Sequence, residues 1–108
     1  MPQLILHAYH VEDVCKNSHA LIEQLAEVMD TPADWFTIEV MPSTFVFGNK
    51  VVQGAPKIEI LWFDRGQNVQ DKAALLIDKW STALGYTGLE MWFTPLEKSK
   101  YYENGEHY

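Results

Sequence analysis

Cysteine occurs once in this sequence, as Cys15, and arginine once, as Arg65. A lone cysteine excludes an internal disulfide, and no Cys/Cys or Cys/His spacing builds a zinc site. A reducing compartment suits such a chain. The opening Met1-Pro2-Gln3-Leu4-Ile5-Leu6 has neither the basic segment nor the apolar segment of a secretory leader, so the cytoplasm is the expected location. No apolar run approaches the length needed to span a bilayer. Basic residues are scarce, 8 Lys and Arg against 15 Asp and Glu, for a formal charge of −7. That balance repels phosphate backbones, and no basic cluster marks an anionic lipid surface. Neither nucleic acid nor membrane is an expected partner.

Metal-ligand patterns are missing as well. His7, His10 and His19 fit no ligand spacing, and His107 sits in a polar tail. No metal and no organic cofactor is expected. Cys15 falls near the start of a helix pattern, where a thiolate is favoured, but no base is indicated beside it.

What is present is a full apolar complement. The chain of 108 residues is 47% hydrophobic and 21% charged, enough for one domain with its own core. Its main feature is internal duplication. An offset of 55 positions sets Val14, Leu21, Ile22, Leu25, Val28 and Met29 against Val69, Leu76, Ile77, Trp80, Ala83 and Leu84. Both sets follow one face of a helix. Asp13 and Asn68 precede the first apolar positions and predict the N-caps. Asp30 and Gly85 correspond at the helix ends, and Thr31-Pro32 stops the first helix.

Strands flank each helix. Leu4-Ile5-Leu6 precedes the first, and the alternation of Phe36, Ile38 and Val40 follows it. Ile58 to Phe63 precedes the second, and Met91-Trp92-Phe93 follows it. Each half reads β-α-β, which makes two parallel strands with a right-handed crossover. The predicted fold is α+β: two β-α-β repeats about a pseudo-two-fold axis, with two helices on one face of a mixed four-stranded sheet and short extra strands. The expected organisation is a single domain over 1–108, with repeats at 2–41 and 57–94, a connector at 42–56 and a tail at 95–108. Within the connector, Gly48-Asn49 reads either as a tight turn between two short strands or as part of an irregular link. In the tail, three tyrosines around Asn104-Gly105 suggest a small hairpin docked on a neighbouring subunit.

Two helices cover one sheet face, yet Leu4-Ile5-Leu6, Leu61-Trp62-Phe63 and Met91-Trp92-Phe93 carry apolar side chains on both. The second face is expected to be buried against other copies of the chain in a closed symmetric oligomer.

The duplicated unit, the Met1-Pro2 start, and the stretch Leu25-Ala26, Thr31-Pro32, Val40-Met41-Pro42 and Phe47-Gly48 resemble the tautomerase superfamily, in particular its macrophage-migration-inhibitory-factor branch. The segment Glu59 to Arg65 and the tail Pro95 to Tyr108 are similar to a group of bacterial proteins of that fold with no assigned activity. The resemblance covers essentially the whole chain. It implies a homotrimer with sheets inward and helices outward. It also implies an N-terminal proline base, here Pro2, exposed by loss of the initiator methionine. Pairing of the two first strands would set Pro2 beside Trp62-Phe63-Asp64-Arg65. Trp62 and Phe63 would then form a dry wall, and Arg65, with Lys57, would hold the carboxylate of a small ligand. Two positions depart from the branch: Thr31 stands where it places a lysine, and Met91 or Trp92 where it places a tyrosine. The expected activity is keto-enol tautomerisation of a small keto acid. The alternative is a non-catalytic oligomeric binding protein on the same scaffold.

Overall fold

The computed structural model describes all residues, 1–108. Strand β1 (Gln3–His7) leads into α1 (Val11–Met29) and β2 (Thr37–Met41). A hairpin of β3 (Phe45–Phe47) and β4 (Lys50–Val52) follows. The second half repeats the plan with β5 (Lys57–Trp62), α2 (Gln67–Ala83), β6 (Glu90–Pro95) and a hairpin of β7 (Tyr102–Glu103) and β8 (Glu106–His107). The sheet order is β2-β1-β5-β6. Outer pairs are parallel, and the central pair β1–β5 is antiparallel, with Gln3 opposite Leu61 and His7 opposite Lys57. A pseudo-two-fold axis therefore runs through the middle of the sheet, as the duplication predicts.

Alternation along the strands divides the faces. Leu4, Leu6, Ile58, Ile60 and Trp62 point to the helices and are buried against Leu21, Leu25 and Ile77. Each such side chain contributes about 1.5–3 kcal/mol by leaving water. The other face is mixed rather than fully apolar. Ile5, Leu61, Met41 and Trp92 share it with Gln3–Glu39, Glu59–Thr94 and Lys57–Glu90 pairs at 3.2, 2.8 and 3.3 Å.

Two local expectations change. The helices begin before Asp13 and Asn68, at N-cap residues His10 and Gly66, and neither makes a side-chain cap. Asp13 instead accepts a 2.6 Å bond from the Tyr86 hydroxyl, which ties the start of α1 to the end of α2. The offset of 55 holds at the helix ends, where Asp30 and Gly85 are both left-handed. There Thr31 N–H and Tyr86 N–H reach back to the Ala26 and Ser81 carbonyls. It fails along α2, whose buried residues are Ala73, Ile77 and Ser81, with Leu76, Trp80 and Leu84 half-buried beside them. The hydroxyls explain the turn of the helix: Ser81 must face the core to meet the buried Tyr9 hydroxyl at 2.6 Å.

The connector takes the hairpin form, with Gly48 at φ 61° and Asn49 at φ 62° supplying a left-handed two-residue turn. The tail is also a hairpin, and its Tyr101 and Tyr108 rings pack on Phe63 of their own chain. Phe63, Tyr101 and Tyr108 form a three-ring cluster with centroids 5.0–5.6 Å apart.

Candidate functional site

The antiparallel register of β1 and β5 brings the start of the chain to the end of β5. Pro2 is fully buried there, and its carbonyl accepts the Thr37 N–H at 3.1 Å. Met1 precedes it, with its terminal ammonium 3.4 Å from the Trp35 carbonyl. Burial holds that ammonium below its usual range, and the Arg65 charge pushes the same way. The Glu103 carboxylate opposes both.

Arg65 follows β5 and folds back over the Trp62 ring, its guanidinium 5.6 Å from the ring centroid. Its Nε donates to the Met29 carbonyl at 3.3 Å and its Nη2 to Thr31 Oγ1 at 3.0 Å, while Nη1 donates to the Phe63 carbonyl. A cation is thereby set on the open carbonyls at the C-terminus of α1, where the helix dipole favours it. Burial lowers the guanidinium's pKa from its ordinary value. Three of its five N–H groups are engaged, which leaves two for a ligand.

Two cavities open on either side of Met1. One, of 310 Å³, is lined by Phe63, Asp64, Arg65, Lys98 and Thr31. The other, of 640 Å³, is lined by Gln3, Asp34, Glu39, Tyr101 and Glu103. Met1, Trp35 and Tyr108 border both. Phe63 sits in the wall of the first cavity, as the sequence suggests. Trp62 does not: it is 1% exposed, in the core beneath Arg65 and 4.9 Å from the Phe93 ring, because strand alternation turns it to the helix face. Lys57 is also elsewhere. It starts β5 opposite His7, at the far end of the sheet, and pairs with Glu90 at 3.3 Å.

Sequence reasoning missed Met1 itself as a lining residue, together with Lys98, Tyr101 and Tyr108. Lys98 stands 5.8 Å from the Phe63 ring centroid, brought there by the turn after β6. The tail's tyrosines and its Asn104-Gly105 turn were the available signal, but their target on the same chain required the fold.

A family model described as a domain of unknown function (DUF1904) matches residues 1–107. A solved DUF1904 domain from Sebaldella termitidis ATCC 33386 is 34% identical over 100% of both chains, with a TM-score of 0.94. A macrophage migration inhibitory factor-like protein from Entamoeba histolytica is 17% identical, with 99% of this chain and 98% of that one covered and a TM-score of 0.73. A fused 4-OT wild type asymmetric trimer is 11% identical over 97% of this chain and 94% of its own, with a TM-score of 0.80. The last two likenesses concern the fold alone. The search of curated proteins gives no match.

Proposed function

The chain belongs to the DUF1904 family, and from that premise we propose a cofactor-independent keto-enol tautomerase of a small keto acid, with Pro2 as its base once Met1 is removed. One observation carries the reading: Pro2 is fully buried at the end of β5, and Met1, bonded to its nitrogen, forms part of the wall of two cavities. Excision of Met1 removes one residue from both walls and frees the prolyl nitrogen that it acylates.

A freed prolyl nitrogen is a secondary amine, and an unperturbed α-amino group titrates at about 7.7–8.0. Burial and the Arg65 cation both disfavour its protonated form, as they do for the Met1 ammonium. The amine is thus poised as a base near neutrality. It takes a proton from the carbon beside the substrate carbonyl. The electron pair forms the enol double bond, and the protonated prolyl amine gives its proton to the carbonyl oxygen, which regenerates the base. Arg65, with two N–H groups unused, and Lys98 line the cavity and would pair with the substrate carboxylate. Phe63, backed by Tyr101 and Tyr108, keeps one wall dry. Lys57 has no part at this end.

The test is phenylpyruvate enol-to-keto conversion followed by absorbance on the processed protein and on Pro2→Ala. A fall of about 10²–10⁴-fold is expected, the range of a lost general base. Undiminished activity removes Pro2 from the mechanism. We also infer a homotrimer closed through the open sheet face, on the strength of Ile5, Leu61, Met41 and Trp92 there and of the trimeric fused 4-OT neighbour.

The three intrachain bonds of Arg65 favour a second reading, a non-catalytic binding protein on the same scaffold. Intact mass bears on the two: a retained methionine in the native protein supports the binding protein, and its loss leaves the enzyme open.

A further inference from the structure

The pseudo-two-fold axis has a consequence at the other end of the sheet. There β5 begins and β1 ends, and a cavity of 480 Å³ opens. Its lining repeats, element for element, the lining of the Arg65 cavity. The loop after the first strand of a repeat supplies Ala8, Tyr9 and His10 here, against Phe63, Asp64 and Arg65 there. The turn after the opposite helix supplies Gly85 and Tyr86 here, against Asp30 and Thr31 there. Pro56, just before β5, takes the place that Met1 holds before β1. The β3–β4 arm covers this cavity as the C-terminal tail covers the other.

We propose that this second cavity is a ligand site in its own right, for a small, uncharged, planar molecule with a hydrogen-bonding edge. The proposal is independent of any role for Pro2. Three observations support it. First, the walls are rigid before anything binds. The Tyr9 and Tyr86 rings lie 4.5 Å apart, and both hydroxyls are already committed. Tyr9 meets Ser81 at 2.6 Å, while Tyr86 donates to Asp13 at 2.6 Å and accepts the His10 N–H at 3.0 Å. Tyr9, 7% exposed, backs the wall from the core, which leaves the half-buried Tyr86 ring to meet a flat ligand. Second, Ala8 holds φ at 67°, a left-handed conformation that costs a non-glycine residue about 1–2 kcal/mol. Stored strain of that kind clusters at binding sites. Third, the arm closes tightly. A Cβ on Gly54 would stand 2.2 Å from the Phe45 ring, so the glycine is there for close approach.

The chemistry of the lining sets the ligand class. No lysine, arginine, aspartate or glutamate lines the cavity, and the exposed His10 is its one titratable group besides the tyrosines. Thr44, Gln53 and Thr87 offer neutral hydrogen bonds, while the Ser43 hydroxyl is already bonded to His7 at 2.8 Å. A carboxylate finds no clamp here. Nor does the site move a proton as the other is proposed to: Lys57, which takes the position of Pro2, pairs with Glu90 at 3.3 Å and does not line the cavity. Its volume lies in the range of small-molecule pockets, about 300–1,000 Å³.

Benzamide and benzoate, one ring with a neutral or an anionic edge, are the probes. They are titrated into the full chain and followed by 1H–15N chemical shifts. Benzamide is expected to shift Ala8, His10, Gly54 and Tyr86 saturably, with a Kd of about 1 mM or tighter, and benzoate to bind there at least about tenfold more weakly. Thr87→Trp and Ser43→Trp, two exposed positions on opposite rims, are each expected to weaken benzamide about tenfold or more by filling the space. No saturable shift, equal binding of both probes, a shift map centred on Arg65, or binding that survives whichever filled variant folds overturns the proposal. The wild-type map decides alone if neither variant folds.

Discussion

At the scale of single residues, side chains with two partners carry most of the argument. Tyr9 is buried with its hydroxyl on Ser81, and burial raises its pKa above the ordinary 10.0. The sign follows from linkage. Below pH 10 the hydroxyl is neutral in both states. As pH rises past 10 the unfolded chain releases the proton first, so stability falls through the window up to the raised native pKa. Urea midpoints measured from pH 9 upward are expected to decline from pH 10 in the wild type and to decline less steeply in Tyr9→Phe. At neutral pH that variant is expected to lose about 1–3 kcal/mol, because Ser81 Oγ is left buried without a partner. Equal alkaline slopes would remove Tyr9 as the cause. The site was partly legible at this scale. Pro2, Phe63 and Arg65 do converge, since antiparallel pairing of duplicated strands fixes which ends meet. Trp62 and Lys57 do not, because strand alternation turns the first to the core and strand direction places the second at the far end.

At the scale of elements, periodicity located both helices and all four main strands, because amphipathic patterns report burial directly. Helix starts were not legible. Asp13 is a good cap by type, yet Tyr86, 73 positions away, takes its carboxylate, and no local rule contains that bond. The two hairpins were legible from their turns, Gly48-Asn49 and Asn104-Gly105, but their covering role was not, because it depends on the axis. The β3–β4 arm yields a prediction. Gly54→Ala would drive a Cβ into the Phe45 ring at 2.2 Å and is expected to cost about 1–3 kcal/mol in a denaturation midpoint. In a Phe45→Ala background the same change is expected to cost almost nothing, since the obstacle is gone. Full cost in both backgrounds would show that the contact is not the reason for the glycine.

For the whole molecule, duplication predicts two equivalent ends and an exposed sheet face. The open face is less apolar than the strand sequences suggest, as Glu39, Glu59 and Glu90 occupy it with bonded partners. Apolar Ile5 and Leu61 at its centre, with Trp92 41% exposed, still favour covering by other copies. Sedimentation velocity at micromolar concentration is expected to give three times the 12.4 kDa chain mass. Trp92→Glu, which buries a charge in that contact, is expected to shift it toward monomer. A wild-type monomer would contradict the closed assembly.

Chemistry at the chain's head rests on one atom, the nitrogen of Pro2. Its 15N chemical shift, followed with pH in protein from native expression, reports that atom without any substrate. A free prolyl amine in its buried place beside Arg65 should titrate with a midpoint below the usual α-amino range of about 7.7–8.0. An amide shift that does not move with pH, or a midpoint at or above that range, would contradict the catalytic account.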